Sequence, residues 1–413
     1  MLAVFSSGAL KSQTDSLSQG DDGLAYLIRN AVSSNSKLEE LDYRRKIELI
    51  KKEQVNKQPM PMFEAMIDYI PLNFMDKPEY SGYLSQRIML GKLGAMEKMS
   101  TVNADAQSIA KEQLKTELSR GVKRNYFELY YYEKLLGFNS EFKNILKDIV
   151  RTLELNYASG MGSQNQILKM NNELVMLEFE NTGLESSRKI YVNNLRVLSN
   201  LNLPDDYRTK NVDYIFTPGL KLDTLELARI MISNNPEFKM IDNMVEKAAV
   251  EKNIAELERI PDITLRGGYK YMAKEPMSYI TFSIGVDLPF MPWNSKRVDA
   301  MVGEKSLMEL QANSLRTSTL QYMKNELNSM VIMINSMRDK ISFLKDVVIP
   351  QSELTFKSTL ASYSSGSGEF MNLLDSYRNL RQNYLMLAGE ESELLKQYGE
   401  LEFLLGRQIT KIK

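Results

Sequence analysis

Residues 363–374 read YSSGSGEFMNLL, and residues 157–168 read YASGMGSQNQIL. Tyr157 falls on Tyr363, Gly160 on Gly366, Gly162 on Gly368 and Leu168 on Leu374, at an offset of 206 positions (363 − 157). A second pair, AVSSNSKL at 31–38 and MISNNPEF at 231–238, sets Asn35 against Asn235 at an offset of 200 (235 − 35), and Pro61 and Pro261 keep that offset. Self-similarity at a fixed period decides the architecture before any single element does. Three matches in the same order and nearly the same phase favour a tandem repeat over chance likeness between helical segments.

Working outward, each copy predicts the same series. A helix comes first, over about 21–57 and about 221–258. A pair of short strands follows, then a very long helix, over about 93–156 and about 295–362, that runs to the Tyr-x-x-Gly turn. A second helix returns from the turn over about 163–199 and about 369–407. The chain therefore divides into an N-terminal segment at 1–20, a first repeat at 21–200 with its strand pair at 62–90, a linker at 201–220, and a second repeat at 221–413 with its strand pair at 262–290. The linker is marked by Pro204, Asp205 and Asp206 at one end and Pro218 and Gly219 at the other.

The long helices carry a seam. Leu320, Met323, Leu327, Met330, Ile334, Met337, Ile341, Leu344 and Val348 alternate at spacings of three and four, the heptad signature of left-handed helix packing. The seam of the first copy is looser: Leu129, Tyr132, Leu136, Phe142, Leu146, Ile149 and Leu153. A helix of this length reaches roughly 100 Å, which no compact globular domain uses. Pro350 is expected to kink or restart the second long helix. Gly366 and Gly368 supply the tight reversal into the returning helix.

The strands alternate with period two. Ile280, Phe282, Ile284, Val286, Leu288 and Phe290 share one face, and Thr281, Ser283, Gly285 and Asp287 share the other. Their partner, 264–271, sets Arg266 and Lys270 on one face and Leu265, Tyr269 and Tyr271 on the other, with a turn at Lys274, Glu275 and Pro276. The first copy offers 63–69 and 80–90 around a turn at Asp76, Lys77 and Pro78, with less clean alternation. Strands of this length cross an outer membrane when tilted. Four cannot close a barrel around a channel, whereas three chains would supply twelve. Trp293, the sole Trp, follows the best strand and suits an aromatic belt at a bilayer surface. The competing reading is a soluble hairpin packed on a helix.

Composition narrows the function classes. Hydrophobic residues make up 43% of the 413, enough for a core, and charged residues 25%. Lys and Arg number 52 against 53 Asp and Glu, so no basic excess points to nucleic acid. The sequence has no Cys, which leaves no thiol for a disulfide, a thiolate metal site, a nucleophile or a lipid anchor. It has no His either, which removes the commonest general base and transition-metal ligand. With no Gly-rich phosphate loop, no catalytic, cofactor-binding or metal site is expected, and the chain does not read as an enzyme. No run of about 18 apolar residues predicts a membrane helix. Residues 1–9, MLAVFSSGA, fit either the tail of a clipped signal peptide or a plain N-terminus.

The order helix, strand pair, long helix, Tyr-x-x-Gly turn and helix, taken twice, resembles the TolC-like outer membrane efflux proteins over nearly the whole chain. Local likenesses lie in the second copy: Leu227, Ala228, Asn235, Pro236 and Glu237 in its first helix, Ile260 to Ile263 before the strands, Ile349 and Pro350, and Tyr363 to Asp375. The resemblance implies a mainly α protein with a membrane β-barrel, in which three protomers form a continuous barrel and tunnel. It implies a homotrimer in outer membrane lipid of a Gram-negative-type bacterium, with most of the chain in the periplasm. It implies a periplasmic adaptor (membrane fusion) protein and an inner-membrane pump of RND or ABC type as partners, in tripartite efflux or type I secretion.

The same resemblance implies a gate at the periplasmic tip, closed in the family by Tyr, Arg and Asp contacts. Tyr363 matches the gating Tyr and Asp375 the Asp one turn inside; Asn372 stands where an outer selectivity Asp often sits, and Gly368 where a gate Arg can sit. In the first copy Asn165 and Gln166 occupy the place of a Thr-Asp pair, beside Tyr157, Gly160 and Gly162. A gate held by fewer ion pairs is therefore expected. Three copies of Asp375 would favour cations, an effect that Asn372 would weaken. The plainer readings are a solvated Asp375 and a hairpin turn without gating. The 25 Met invite a soft-cation cargo, but Met323, Met330 and Met337 lie in the heptad seam, where Met is ordinary filler. Metal, drug and protein cargo stay open, as does a soluble periplasmic coiled-coil or adaptor protein, which detergent dependence would separate from a channel.

Overall fold

The computed structural model describes residues 23–69, 79–210, 222–272 and 277–408. In chain order the elements are α1 (Leu24–Ser33), α2 (Ser36–Val55), β1 (Met62–Tyr69), β2 (Glu79–Ile88), α3 (Lys92–Ala158), α4 (Gln164–Ser199), α5 (Thr224–Asn234), α6 (Pro236–Leu257), β3 (Ile263–Met272), β4 (Met277–Val286), α7 (Pro292–Phe343), a π-helical turn (Leu344–Val348), α8 (Ile349–Ser364) and α9 (Phe370–Leu405). The series of the first copy recurs in the second. The residues expected to turn each strand pair, 76–78 and 274–276, lie outside the described residues, as do 1–22 and 211–221.

Where one opening helix was expected in each copy, there are two. The breaks fall at Asn35 and Asn235. Asn35 accepts from Lys37 N, and Asn235 accepts from Phe238 N at 2.8 Å while Pro236 opens α6. An Asn at the N-cap satisfies an amide that has no intrahelical partner, and Pro at the first helical position has no N–H to lose. The side chain of Asn235 is buried and also donates to Leu404 O, which ties this break to the end of α9.

The strands form one antiparallel sheet in the order β1-β2-β3-β4. β2 pairs with β3, so the two copies meet in the middle of the sheet. The register puts Phe63, Leu84, Gly267 and Phe282 in one row, and Ile67, Tyr80, Tyr271 and Ser278 in another on the same face. With Leu265, Ile280 and Ile284 this face is apolar and exposed; Phe282 is 85% exposed. The opposite face is polar and paired. Arg266 bonds Glu64 and lies over the Tyr83 ring, and Lys270 pairs with Glu79 at 2.9 Å. A soluble hairpin buries its apolar face on a helix; here that face is left open. β4 ends at Val286, so Leu288 and Phe290 lie past the strand, before Pro292 opens α7.

Charged groups fasten the sheet to the helices. The buried Asp262 takes Arg87 at 2.7 Å and Lys92 at 3.2 Å, and Arg87 also reaches Asp287 at 3.3 Å. A buried carboxylate is tolerated only when it is paired in this way.

α3 has 67 residues and is roughly 100 Å long. It packs against α2, α4, α6 and α9, while α9 packs against α7 and α8. Three apolar clusters line this axis. The heptad seam of α7 fills one of them: Met323, Leu327, Ile334, Ile341 and Leu344 are buried, with Leu320, Met330, Met337 and Val348 packed against them. Pro350 falls where the helix restarts, as expected: α8 begins at Ile349 with Pro350 in its first turn. The restart is preceded by the π turn, one wider turn set between α7 and α8. Beyond it the buried residues are Ile349, Phe356 and Tyr363, spaced by seven. Part of the expected linker is packed: Leu203 and Tyr207 are buried against α1, α3 and α4, and Arg188 holds the carbonyls of Asp205 and Tyr207. Among the described residues no helix is long and apolar enough to cross a membrane.

Candidate functional site at the hairpin tips

Both hairpins reverse by the same device. α3 ends with Gly160 N donating to Tyr157 O and Met161 N to Asn156 O; α8 ends with Gly366 N donating to Tyr363 O and Ser367 N to Ser362 O. Gly160 and Gly366 sit at φ 77° and 76°, where a side chain is strained. Two residues on, the backbone folds back on itself. A Cβ on Gly162 would lie 3.2 Å from Tyr157 N, and one on Gly368 would lie 2.9 Å from Ser362 C and Tyr363 N. The Tyr-x-x-Gly-x-Gly spacing is thus a helix end, a left-handed residue and a close approach.

The two Tyr differ. Tyr157 is exposed, whereas Tyr363 is 6% exposed and packs edge-on against Phe370 with ring centroids 6.3 Å apart. Burial raises the Tyr363 hydroxyl above its ordinary pKa, so it stays a donor. It donates to Gln166 Oε1 at 2.8 Å. Gln166 belongs to the first hairpin, where it also completes a capping box with Ser163 at the start of α4. One side chain therefore caps α4 and holds the tip of α8. Asn165 is exposed beside it and makes no such contact among the described residues. Asn372 and Asp375 are exposed on the first turns of α9. Trp293 is exposed at the second residue of α7, where the chain passes from the sheet into the long helix.

Ion pairs between the hairpins begin further up. Arg378 on α9 takes Glu173 on α4, with Nε to Oε1 at 3.1 Å. One turn beyond, Arg381 pairs with Glu180 and donates to the buried Asn139 at 3.2 Å. The tip itself is bridged by a neutral Tyr–Gln contact, while the charged rungs stand on positions that motif reading passed over. Their one sequence signal is separation: 205 residues for Arg378 and Glu173, 201 for Arg381 and Glu180, close to the repeat offset.

A further buried charge stands at the π turn. Glu391 on α9 is 1% exposed and takes Lys134 from α3 and Lys345 from the π turn. Both hairpins thus converge on one carboxylate. No group of three or more His, Cys, Asp or Glu side chains that could hold a metal ion occurs among the described residues.

A four-stranded sheet with one apolar open face, mounted on helical hairpins of roughly 100 Å, defines the protomer fold of the TolC-like outer membrane channels. Solved structures carry the comparison. The outer-membrane channel OprN superposes with a TM-score of 0.77 at 15% identity, covering 93% of this chain and 89% of that one. The outer membrane protein VceC from Vibrio cholerae gives 0.73 at 16%, covering 94% and 97%. The MtrE outer membrane channel of Neisseria gonorrhoeae, in its open state, gives 0.71 at 15%, covering 94% and 90%. No protein-family model and no curated protein matches the sequence.

Proposed function

We propose that this chain is the outer membrane channel of a tripartite efflux or type I secretion system. Three copies close a twelve-stranded barrel in the outer membrane and a helical tunnel through the periplasm. Cargo passes down this conduit passively, from a periplasmic adaptor and an inner-membrane pump of RND or ABC type, and the pump supplies the energy. No step of this reading is catalytic. The two copies of the repeat, 21–200 and 221–413, each contribute one hairpin to the tunnel and one strand pair to the barrel. The tips at Tyr363 and Gln166 act as the gate, with Gly160, Gly162, Gly366 and Gly368 shaping the turns, and Trp293 anchors the bilayer surface.

The observation that carries the reading is the sheet. Its apolar face is open to the surroundings, and its polar face is knit by Arg266–Glu64 and Lys270–Glu79 pairs. Lipid outside and water inside is the pattern of an outer membrane barrel. A detergent-free coiled-coil or adaptor protein would leave the Phe282 and Ile284 face in water, at a large hydrophobic cost.

The test is the protein mass of the detergent-extracted particle by light scattering, followed by conductance in a planar bilayer. A trimer that needs detergent and conducts supports the channel. A monomer or dimer soluble without detergent overturns it.

A further inference from the structure

A cleft of about 220 Å³ opens between α1, the middle of α3 and the end of α9. Ile28 and Val32 on α1 and Phe403 on α9 give it apolar walls, and Lys115 and Arg120 on α3 and Arg407 just past α9 line it with charge. Lys115, Ser119 and Lys123 are spaced by four, with Thr116 and Arg120 beside them, so one face of α3 supplies them all. Gly406 caps α9 at φ 64°, and Arg407 N donates to Glu402 O at 3.2 Å, which fixes the Arg407 backbone at the rim. The volume is below the roughly 300–1,000 Å³ of pockets that take drug-sized molecules, so it suits a small ligand.

The cations of the cleft are committed to different degrees. Lys123 and Glu402 are both buried and pair with each other, so they hold nothing in reserve. A Cβ on Gly399 would lie 3.8 Å from Lys123 Cβ, and the bare backbone there leaves that Lys its path. Lys115 pairs with Glu112 one turn back, and Arg120 with Glu400 at 3.4 Å. These four side chains are all partly exposed, and surface pairs of this kind are weak enough for a ligand to displace. Arg407 is exposed and makes no ion pair among the described residues. Four cationic side chains thus stand against three carboxylates, Glu112, Glu400 and Glu402, and one positive charge is left over. The Arg120 guanidinium lies 4.3 Å from the centre of the Phe403 ring. Stacking on an aromatic face fixes its plane and leaves its N–H edge for an oxyanion.

We propose that this cleft binds a small phosphate-type anion, held by Arg120, Arg407 and Lys115. Donors on two walls meet oxygens that point in different directions, which suits a tetrahedral anion better than a flat carboxylate, and the guanidinium fork is fitted to phosphate. The wall of Ile28 and Val32 takes a short organic group, so phosphate monoesters belong to the same class. Bound there, the anion bridges α3 of the first repeat and the end of α9 in the second. Lys115 lies 23 residues along α3 from Lys92 (115 − 92), roughly 35 Å from the sheet. On the channel reading the sheet sits in the bilayer, so lipid headgroups do not reach the cleft and the anion comes from solution; the site itself does not depend on that reading.

The test is isothermal titration calorimetry of inorganic phosphate, and then of glycerol 3-phosphate, into the full detergent-extracted chain, with chloride holding the ionic strength constant and no phospholipid added. Expected are saturable binding of one phosphate per chain, competition by glycerol 3-phosphate, and at least tenfold weaker binding in Arg120→Gln and in Arg407→Gln, since each loses a charge-assisted hydrogen bond. Arg120→Gln also loses its place on Phe403, so its thermal midpoint without ligand is measured alongside; Arg407 is exposed, and Arg407→Gln decides if the other variant is destabilised. No saturable heat with either anion, or undiminished affinity in Arg407→Gln, overturns the site. Binding that appears only when phosphatidylglycerol micelles are added overturns the soluble source. The stoichiometry is counted per chain, so a detergent-free monomer that binds phosphate would sink the channel and leave the site standing.

Discussion

Tyr363→Phe removes one hydroxyl and little else. The ring keeps its buried place against Phe370, and the lost contact is the 2.8 Å bond to Gln166 Oε1. That oxygen still has Ser163 N at 3.4 Å, and Gln166 is half-buried, so water can reach it. No orphaned polar group is created, and the net loss is about 1 kcal/mol, the ordinary worth of a hydrogen bond. In the proposed trimer the bond occurs three times, so a symmetric closed tip loses about 3 kcal/mol, and the open-to-closed ratio rises roughly 100-fold. Single-channel recording in a planar bilayer reads this as a rise in open time. Gln166→Glu keeps an acceptor and is expected to stay shut. Gln166→Met is expected to match Tyr363→Phe, and the double variant to add nothing further, because both remove one bond. Unchanged open time in Tyr363→Phe, or effects that simply add, would refute the reasoning.

Three further outcomes follow from the same geometry. Glu391→Ala leaves Lys134 and Lys345 without their shared carboxylate; both ammonium groups are partly solvated, so we expect a loss of about 2 kcal/mol, less than for a fully buried pair, read as a lowered thermal midpoint. Burial, with Glu353 accepting its proton, pushes Tyr384 up to about 12. A raised phenol pKa means that the unfolded chain ionises first, so this stabilisation is present below the ordinary phenol range and is lost as pH rises through about 12; Tyr384→Phe should remove that step from the alkaline unfolding profile, and an unaltered profile would count against it. Phe282→Lys sets a charge on the apolar face and should cost about 2–4 kcal/mol in a bilayer, whereas Thr281→Lys on the polar face should be tolerated; flotation of reconstituted vesicles separates them, and equal flotation would contradict the assignment of faces.

The parts of the fold that a sequence can announce are those with a clean period. β4 alternates because its apolar side chains share one face of the sheet, and the α7 seam repeats because one stripe meets another helix, so both were legible. The hairpin turns were legible because φ near 76° and a Cβ-free approach both demand Gly. The breaks before α2 and α6 were readable in Asn35 and Asn235-Pro236 but were passed over, since apolar spacing continues on either side. Tyr363 was found at the tip, while its partner was not assigned, because Gln166 is 197 residues away and neutral. Arg378 and Arg381 escaped for the same reason: nothing local marks a charge whose partner lies in the other copy.

The π turn at Leu344–Val348 has an arithmetical consequence for the tip. Counting by sevens from Leu327 through Ile334 and Ile341 leads to Val348 and then to Thr355 and Ser362. The buried residues are instead Ile349, Phe356 and Tyr363, each one place later. The extra residue in the π turn is the skip that moves the count. Losing one codon there would carry the count by sevens to the same three side chains, whereas closing the π turn into regular α-helix with no residue lost would turn everything below it by about 100°. Ser362 would then face inward and Tyr363 would swing away from Gln166. Which side chain faces inward at the hairpin tip is thus fixed by the π turn some 20 residues upstream as much as by its own identity, and a change that closed that turn into regular helix would pass for a mutation of the tip.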